Sequence, residues 1–153
     1  MKIIKLHLAC ETELLGGFDN LDPMIDGWTF QQGLKNYGDG TVDAITISHG
    51  LYQLTSQEWP AAIAEFYRVL RPRGILRITE DDCESDRSIR KKNPFPGSKS
   101  WPGPLMAQNE LLRAGFRVFH QTAFSTMYSD SSLCIHHRMA VPSYVFYIEG
   151  VKP

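Results

Sequence analysis

Short apolar runs bounded by turn residues recur through the first third of the chain. Four of them have the length and the β-prone side chains of strands: residues 2–10, 18–22, 27–31 and 42–47. The run at 2–10 is apolar at most of its positions, which is typical of a strand covered on both faces of a parallel sheet. We therefore expect the first third of the chain to supply four strands.

A helical period replaces this pattern after residue 55. Between residues 55 and 70, apolar side chains recur at i, i+3, i+4 and i+7, which places them in one stripe along a helix. Thr55 and Glu58 have the spacing of a capping box at the start of this helix. A second helix is predicted over residues 105–114, with Gly115 as its C-terminal cap.

Strands return between and after the helices, over residues 74–79, 116–124 and 144–151. Because strands alternate with helices in the middle of the chain and a hairpin-like pair closes it, we expect an α/β fold with a mostly parallel sheet. Residues 81–104, hereafter the insertion, begin acidic, turn basic and end in proline and glycine. A loop of that length in a small domain is typical of a functional lid or a disordered segment.

Composition narrows the class of protein without indicating an activity. The chain has 153 residues, a net charge of −1 and 42% hydrophobic residues, which fits a single globular domain over residues 1–153. No apolar run approaches the roughly 20 residues that a membrane span needs, and the first residues lack the apolar stretch of a signal peptide. Cys10, Cys83 and Cys134 are odd in number and widely spaced, which indicates free thiols in a reducing compartment. We expect a cytoplasmic protein that does not contact membranes.

The insertion offers two further kinds of site. Its carboxylates could hold a divalent cation, and its basic residues with Trp101 could bind a nucleic acid. A solvated surface loop is favoured over both, and the near-zero net charge also argues against a nucleic-acid coat protein. No metal is therefore predicted, and a nucleic-acid partner is left open but not favoured.

The candidate site follows from the predicted sheet, because ligands bind beyond the carboxyl ends of parallel strands. The residues that follow the predicted strands are Ala9, Cys10, Glu11, Thr12, Asp22, Gln31, Gln32, Ser48, His49, Gly50, Leu51, Glu80, Asp81 and Asp82. Asp22 is of interest because a carboxylate can accept hydrogen bonds from both hydroxyls of a ribose. Its alternative role is that of a turn residue before Pro23.

Several segments resemble one family, the small class I S-adenosylmethionine-dependent methyltransferases of the methyltransferase-11 type. Residues 6–12 (LHLACET) and 17–22 (GFDNLD) are similar to the family's LHLGCGT and PGWxNLD. Residues 42–51 (VDAITISHGL) are similar to the start of VDxIxxSHVLEH, and residues 67–78 (YRVLRPRGILRI) are similar to RVLRPGGxLRI. The order and spacing of these segments agree with the family, and the resemblance covers nearly the whole chain except the insertion.

The resemblance implies a Rossmann-like sheet of seven strands in the order 3-2-1-4-5-7-6, with strand 7 antiparallel. It also implies that S-adenosylmethionine is the cofactor. Its methionyl part would lie near residues 9–12, its ribose at Asp22 and its adenine near Gln31 or Gln32. Residues 48–51 would line the pocket near the methyl group.

Methyl transfer to an unidentified acceptor is the activity that the resemblance implies. The insertion would shape the acceptor site, and His49, Asp81 and Asp82 are the candidate catalytic residues. A dedicated base is needed only where the acceptor must lose a proton.

Four of the chain's departures from these motifs bear on the candidate site. Ala9 and Glu11 replace two loop glycines, and Tyr52 and Gln53 stand where the family has a Glu-His pair. Glycine reaches backbone conformations that a Cβ obstructs. Glu11 also adds a negative charge beside a carboxylate-bearing cofactor, or else pairs with the cofactor's amino group. These replacements leave a second hypothesis, a non-catalytic methyltransferase-fold protein that binds a cofactor or a partner.

The link between the first two predicted strands is too short for a full helix, so we expect a reduced helix complement. One face of the first three strands would then be thinly covered, and an exposed apolar sheet face usually finds a partner. The sequence therefore predicts a homodimer through that face.

Overall fold

The computed structural model describes residues 2–81, 99–100, 103–121 and 145–153. Its strands are β1 (Lys5–Leu8), β2 (Asp19–Leu21), β3 (Val42–Ser48), β4 (Leu70–Asp81), β5 (Arg117–Gln121) and β6 (Val145–Val151). Its α-helices within these residues are α1 (Trp59–Val69) and α2 (Pro104–Ala114), and short 3-10 turns lie at Phe30–Gln32 and Leu51–Gln53.

The strands form one mixed sheet in the order β2-β1-β3-β4-β6-β5. The pairs β2-β1, β1-β3 and β3-β4 are parallel, whereas β6 runs antiparallel to both β4 and β5. This is the predicted order 3-2-1-4-5-7-6 without its first member, and β6 is the predicted antiparallel strand 7. The Rossmann-like α/β fold is therefore confirmed.

The predicted third strand, residues 27–31, was wrong. The indole Nε1 of Trp28 donates to the carbonyl of Gly33 at 2.8 Å, and the chain turns at Gly33 with a φ of 67°. Phe30 packs edge-on against Trp28, with ring centroids 4.9 Å apart, and against Phe66 of α1 at 6.2 Å. Because Phe30 packs on α1 and Trp28 packs on Phe30 and bonds to Gly33, the segment forms a 3-10 turn. Six strands lie within the described residues.

The boundaries of the first helix differ from the predicted ones, 55 and 70, at both ends. The first helix begins at Trp59 because Pro60 belongs in a first turn, and the Thr55–Glu58 contacts form a turn before it. It ends at Val69 because Leu70 already pairs with Val42 of β3. The predicted strand ends at residues 122–124 and 144 lie outside the described residues.

The two faces of the sheet differ in chemistry. One face packs against the helices through apolar side chains; those fully buried on the four central strands include Leu6, Leu8, Ile45, Ile47, Leu76, Ile78 and Ile148. On the opposite face, His7, Thr46, Arg77 and Glu149 share one register across β1, β3, β4 and β6, and all four are buried. We call the first surface the helix-packed face and the second set the polar row.

The face that carries the polar row also has a small apolar patch. Ala44 and Ile75 are buried there and are paired across β3 and β4. Val151, which pairs with Ile75 from β6, packs against them. The homodimer predicted through one face of the first three predicted strands stays a prediction.

Candidate functional site

The carboxyl ends of β1 to β4 meet at one edge of the sheet, hereafter the carboxyl edge. The N–H of Ala9 donates to the carbonyl of Leu21 at 2.9 Å, which joins the loop after β1 to the end of β2. The N–H of His49 donates to the carbonyl of Thr79 at 2.8 Å, which joins the loop after β3 to β4. The candidate residues that follow these strands are thus brought together.

Residues 9–11, at the start of the loop after β1, have a glycine-like backbone although none of them is glycine. Ala9 and Glu11 adopt φ values of 52° and 49°, in the left-handed region that costs an L-residue about 1–2 kcal/mol. The N–H of Glu11 donates to the Asp22 carboxylate at 2.9 Å, which stabilises this conformation. Between them, Cys10 is buried, and burial followed by the charge of Asp22 raises the pKa of its thiol to about 11. The thiol is therefore protonated at neutral pH and is no nucleophile.

Asp22 lies at the end of β2 and is only 2% exposed. Its Oδ2 accepts the N–H of Glu11, and its Oδ1 accepts the N–H of Met24 at 2.8 Å. The N–H of Asp22 in turn donates to the Asp26 carboxylate at 3.1 Å. Each Asp22 oxygen uses one lone pair in these bonds and has another that no described hydrogen bond occupies. The carboxylate therefore combines the predicted turn role with an acceptor capacity that suits ribose hydroxyls.

The loop after β3 packs directly on the loop after β1. A Cβ added to Gly50 would lie 2.5 Å from the Cβ of Ala9, which is closer than two carbon atoms can approach. His49, beside it, has a φ of 53°. Position 50 therefore has to be glycine because position 9 carries a methyl group. Sequence reasoning noted the change at position 9 but missed its partner.

Glu80 is a site residue that sequence reasoning listed without assigning a role. It is 3% exposed, on the helix-packed side of β4, and its Oε1 accepts the N–H of Leu51 at 2.6 Å. The bond holds the first residue of the Leu51–Gln53 turn against the carboxyl edge. The available signal was an acidic residue directly after the predicted apolar strand 74–79.

Tyr52 connects this turn to two other segments. Its hydroxyl lies 3.4 Å from the Glu11 carboxylate, and its carbonyl accepts the N–H groups of Lys99 at 2.8 Å and Ser100 at 3.3 Å. Trp59 Nε1 donates to the Ser100 hydroxyl at 3.3 Å. Burial, and then the charge of Glu11, raises the pKa of the Tyr52 hydroxyl. The end of the insertion therefore contacts the carboxyl edge through Tyr52.

Gln31 and Gln32 lie in the first 3-10 turn, and their contacts point toward α1 and the turn itself. Gln31 Nε2 donates to the Glu58 carboxylate at 3.0 Å, while Gln32 Oε1 accepts the N–H of Thr29 at 3.0 Å. Both line a cavity of about 690 Å³ between this turn and α1, together with Lys35. The structure thus places the two glutamines in a groove beside the helix.

The remaining candidates are placed only in part. Ser48 is the last residue of β3 and is half-buried, and Thr12 is exposed in the loop after β1. Asp81 ends β4, where its side chain is not described, and Asp82 lies outside the described residues.

Two features are absent from the described ranges 2–81, 99–100, 103–121 and 145–153. No three His, Cys, Asp or Glu side chains there lie close enough to share a metal ion. In the same part of the chain, every helix is too short or too polar to cross a bilayer.

Comparison with known families finds that part of the chain is similar to methyltransferases. Residues 29–78 match a family model described as a methyltransferase domain, which includes residues 48–51 but begins after Asp22. The ubiquinone/menaquinone biosynthesis C-methyltransferase UbiE of Hydrogenovibrio crunogenus is 36% identical over 76 residues. That match covers 48% of this chain and 29% of the relative, so the chain spans under a third of its length.

Solved structures extend the likeness to the whole chain. An S-adenosylmethionine-dependent methyltransferase from Archaeoglobus fulgidus superposes with a TM-score of 0.74 at 15% identity, covering 98% of this chain and 86% of that one. Another from Thermotoga maritima gives a TM-score of 0.68 at 16% identity, covering 98% and 82%. At such identities the likeness shows the fold, and together with the family match it confirms the resemblance that the motifs predicted.

Proposed function

We propose that this chain, which has the fold of the class I S-adenosylmethionine-dependent methyltransferases, binds S-adenosylmethionine at its carboxyl edge and transfers the methyl group to an acceptor. The observation that carries the proposal is the backbone of the loop after β1. Ala9 and Glu11 keep positive φ values although neither is glycine, and Asp22 bonds to the loop at Glu11. The loop therefore has the backbone form that glycine adopts readily, at the two positions where the motif it resembles has glycine.

Each segment of the carboxyl edge has a proposed role. Asp22 would accept the ribose hydroxyls with its remaining lone pairs, and residues 9–12 would hold the methionyl part. Residues 48–51 would border the methyl group, held in place by the Glu80 bond to the N–H of Leu51. The bound cofactor supplies an already activated methyl group. The chain therefore has to orient donor and acceptor and to exclude water.

The acceptor side is proposed to lie between Tyr52 and the insertion. The N–H groups of Lys99 and Ser100 donate hydrogen bonds to the Tyr52 carbonyl. These bonds support the proposal because they place the end of the insertion beside the carboxyl edge. His49, Asp81 and Asp82 are the proposed groups for taking a proton from an acceptor that must lose one.

Calorimetric titration of the full chain with S-adenosylmethionine and with S-adenosylhomocysteine tests the cofactor. We expect saturable binding of both, and we expect Asp22→Asn to weaken both about ten-fold or more, since hydrogen bonds to a charged acceptor are lost. Asp19→Asn is the matched control, because this exposed carboxylate on β2 bonds only to the Tyr37 hydroxyl, at 3.0 Å, among its described contacts. No heat and no thermal shift at millimolar ligand would refute the proposal.

A further inference from the structure

Glu11 presents a negative charge at the carboxyl edge. Its side chain is exposed, and its N–H is bound by Asp22, so the residue is fixed to the loop by its backbone. Within the described part of the chain, no lysine or arginine forms an ion pair with its carboxylate. The negative charge of Glu11 acts on neighbouring groups, since it contributes to raising the pKa of both Cys10 and Tyr52.

Tyr52 holds this carboxylate from the opposite loop. Its hydroxyl lies 3.4 Å from Glu11 Oε1. The position of Tyr52 is constrained because its carbonyl accepts hydrogen bonds from the N–H groups of residues 99–100. The contact between Ala9 and Gly50 sets the distance between the two loops. The carboxylate is therefore presented between the loop after β1 and the turn after β3, the two segments assigned above to the methionyl part and the methyl group.

The ligands of the proposed site differ by one charge. S-adenosylmethionine carries a sulfonium, whereas its product S-adenosylhomocysteine carries a neutral thioether. Both have the same amino and carboxyl groups, so any effect of Glu11 on those groups cancels when the two affinities are compared. A nearby carboxylate favours the extra positive charge, by an amount that depends on distance and local dielectric.

We propose that Glu11, held by Tyr52, is a specificity-determining residue that makes this site favour the sulfonium cofactor over its thioether product. The inference rests on the proposed function. It assigns a purpose to the glutamate that replaces a family glycine: a carboxylate next to the methyl-transfer position biases binding toward the unreacted donor and promotes release of the product.

The test is the ratio of the Kd for S-adenosylhomocysteine to the Kd for S-adenosylmethionine, measured by calorimetry on the full chain. Glu11→Gln keeps the shape and removes the charge, and we expect it to lower this ratio about five-fold. Tyr52→Phe should lower the ratio by less, because the carboxylate remains but loses its hydrogen bond. Salt at about 0.5 M should bring the wild-type ratio toward that of Glu11→Gln, because ions screen exposed charges.

Two further variants sharpen the test. Asp39→Asn removes the same charge at the opposite edge of the sheet, before β3, from a residue whose side chain is 80% exposed, and should leave the ratio unchanged. The double variant Glu11→Gly/Tyr52→Glu moves the carboxylate to the facing loop and should recover most of the wild-type ratio. Equal loss of affinity for both ligands in Glu11→Gln, with the ratio unaltered, would overturn this inference alone. A wild-type chain that binds neither ligand would overturn the proposed function together with it.

Discussion

The helix-packed face and the polar row are equally buried, yet they achieve burial in opposite ways. Ile45 and Ile47 are fully buried among other apolar side chains beneath the helices. One residue along the same strand, Thr46 is 2% exposed and lies in register with Arg77, whose guanidinium pairs with Glu149. Apolar contacts are many and individually replaceable, whereas a buried charge depends on one partner.

This difference indicates which buried positions should tolerate substitution. Each apolar side chain on the helix-packed face stabilises the fold largely by its own burial, so its loss should be local and graded. In the polar row, Arg77 and Glu149 bind each other, so the loss of either side chain deprives a buried charged group of a charged partner. The two faces should therefore respond differently to single and paired substitutions.

The largest effect is expected in the polar row. Arg77 Nε donates to Glu149 Oε1 at 2.9 Å, and the Glu149 side chain is fully buried. Glu149→Ala leaves the guanidinium without its carboxylate and should cost about 4 kcal/mol of unfolding free energy, measured by urea denaturation. The paired variant Arg77→Met/Glu149→Leu should recover most of that loss, because neither charge remains buried. A double variant as unstable as the single one would contradict the contrast.

A truncation on the helix-packed face should cost somewhat less. Ile47 is fully buried between its neighbours on β1 and β4, Leu8 and Ile78. Ile47→Ala removes buried methyl and methylene groups and leaves a cavity, for an expected loss of about 3 kcal/mol in the same urea experiment. Ile47→Val should cost about 1 kcal/mol, and a graded series of this kind would distinguish packing from pairing.

At the carboxyl edge, positions 9 and 50 are coupled by steric contact, and we expect a loss of stability between those above and the one below. Gly50→Ala places a methyl group against the Cβ of Ala9, at the 2.5 Å approach, and should cost about 2 kcal/mol. The exchange Ala9→Gly in the same chain removes the opposing methyl group and should restore most of the stability. If the second change gives no rescue in thermal or urea unfolding, the two loops do not pack as described.

The smallest effect concerns a charge at the start of α1 and depends on pH. Hydrogen bonds from the Gln31 side chain, and then from the N–H and hydroxyl of Thr55, lower the pKa of Glu58 from 4.5 to about 2. Because the folded-state pKa is depressed, the stabilisation is present above pH 4.5 and is lost as the pH falls toward 2. The melting temperature of Glu58→Gln should therefore fall less than that of the wild type between pH 5 and pH 2.5. Identical acid profiles would show that Glu58 is not linked to folding.

The candidate site was predicted in its members but not in its contacts. Residues 9–12, Asp22 and 48–51 were identified because the carboxyl ends of parallel strands share one edge. The pairs Ala9–Gly50, Glu11–Tyr52 and Leu51–Glu80 were missed. Each pair joins residues far apart in the chain. The hydrophobic pattern reports local periodicity and carries no information about the distance between two loops.

By itself the sequence determined the strands and helices whose apolar period is local, such as β3 and α1, and the motifs that resemble a methyltransferase. Only the tertiary structure decided what became of residues 27–31. Their β-prone side chains suit a strand, but Phe30 packs on Phe66, and that contact outweighs the local preference. The tertiary structure also decided that the polar row would be buried, because the pairing of Arg77 with Glu149 spans 72 residues. Local sequence specifies which segments can form strands, whereas the burial of charge and the meeting of loops depend on partners that only the folded chain brings together.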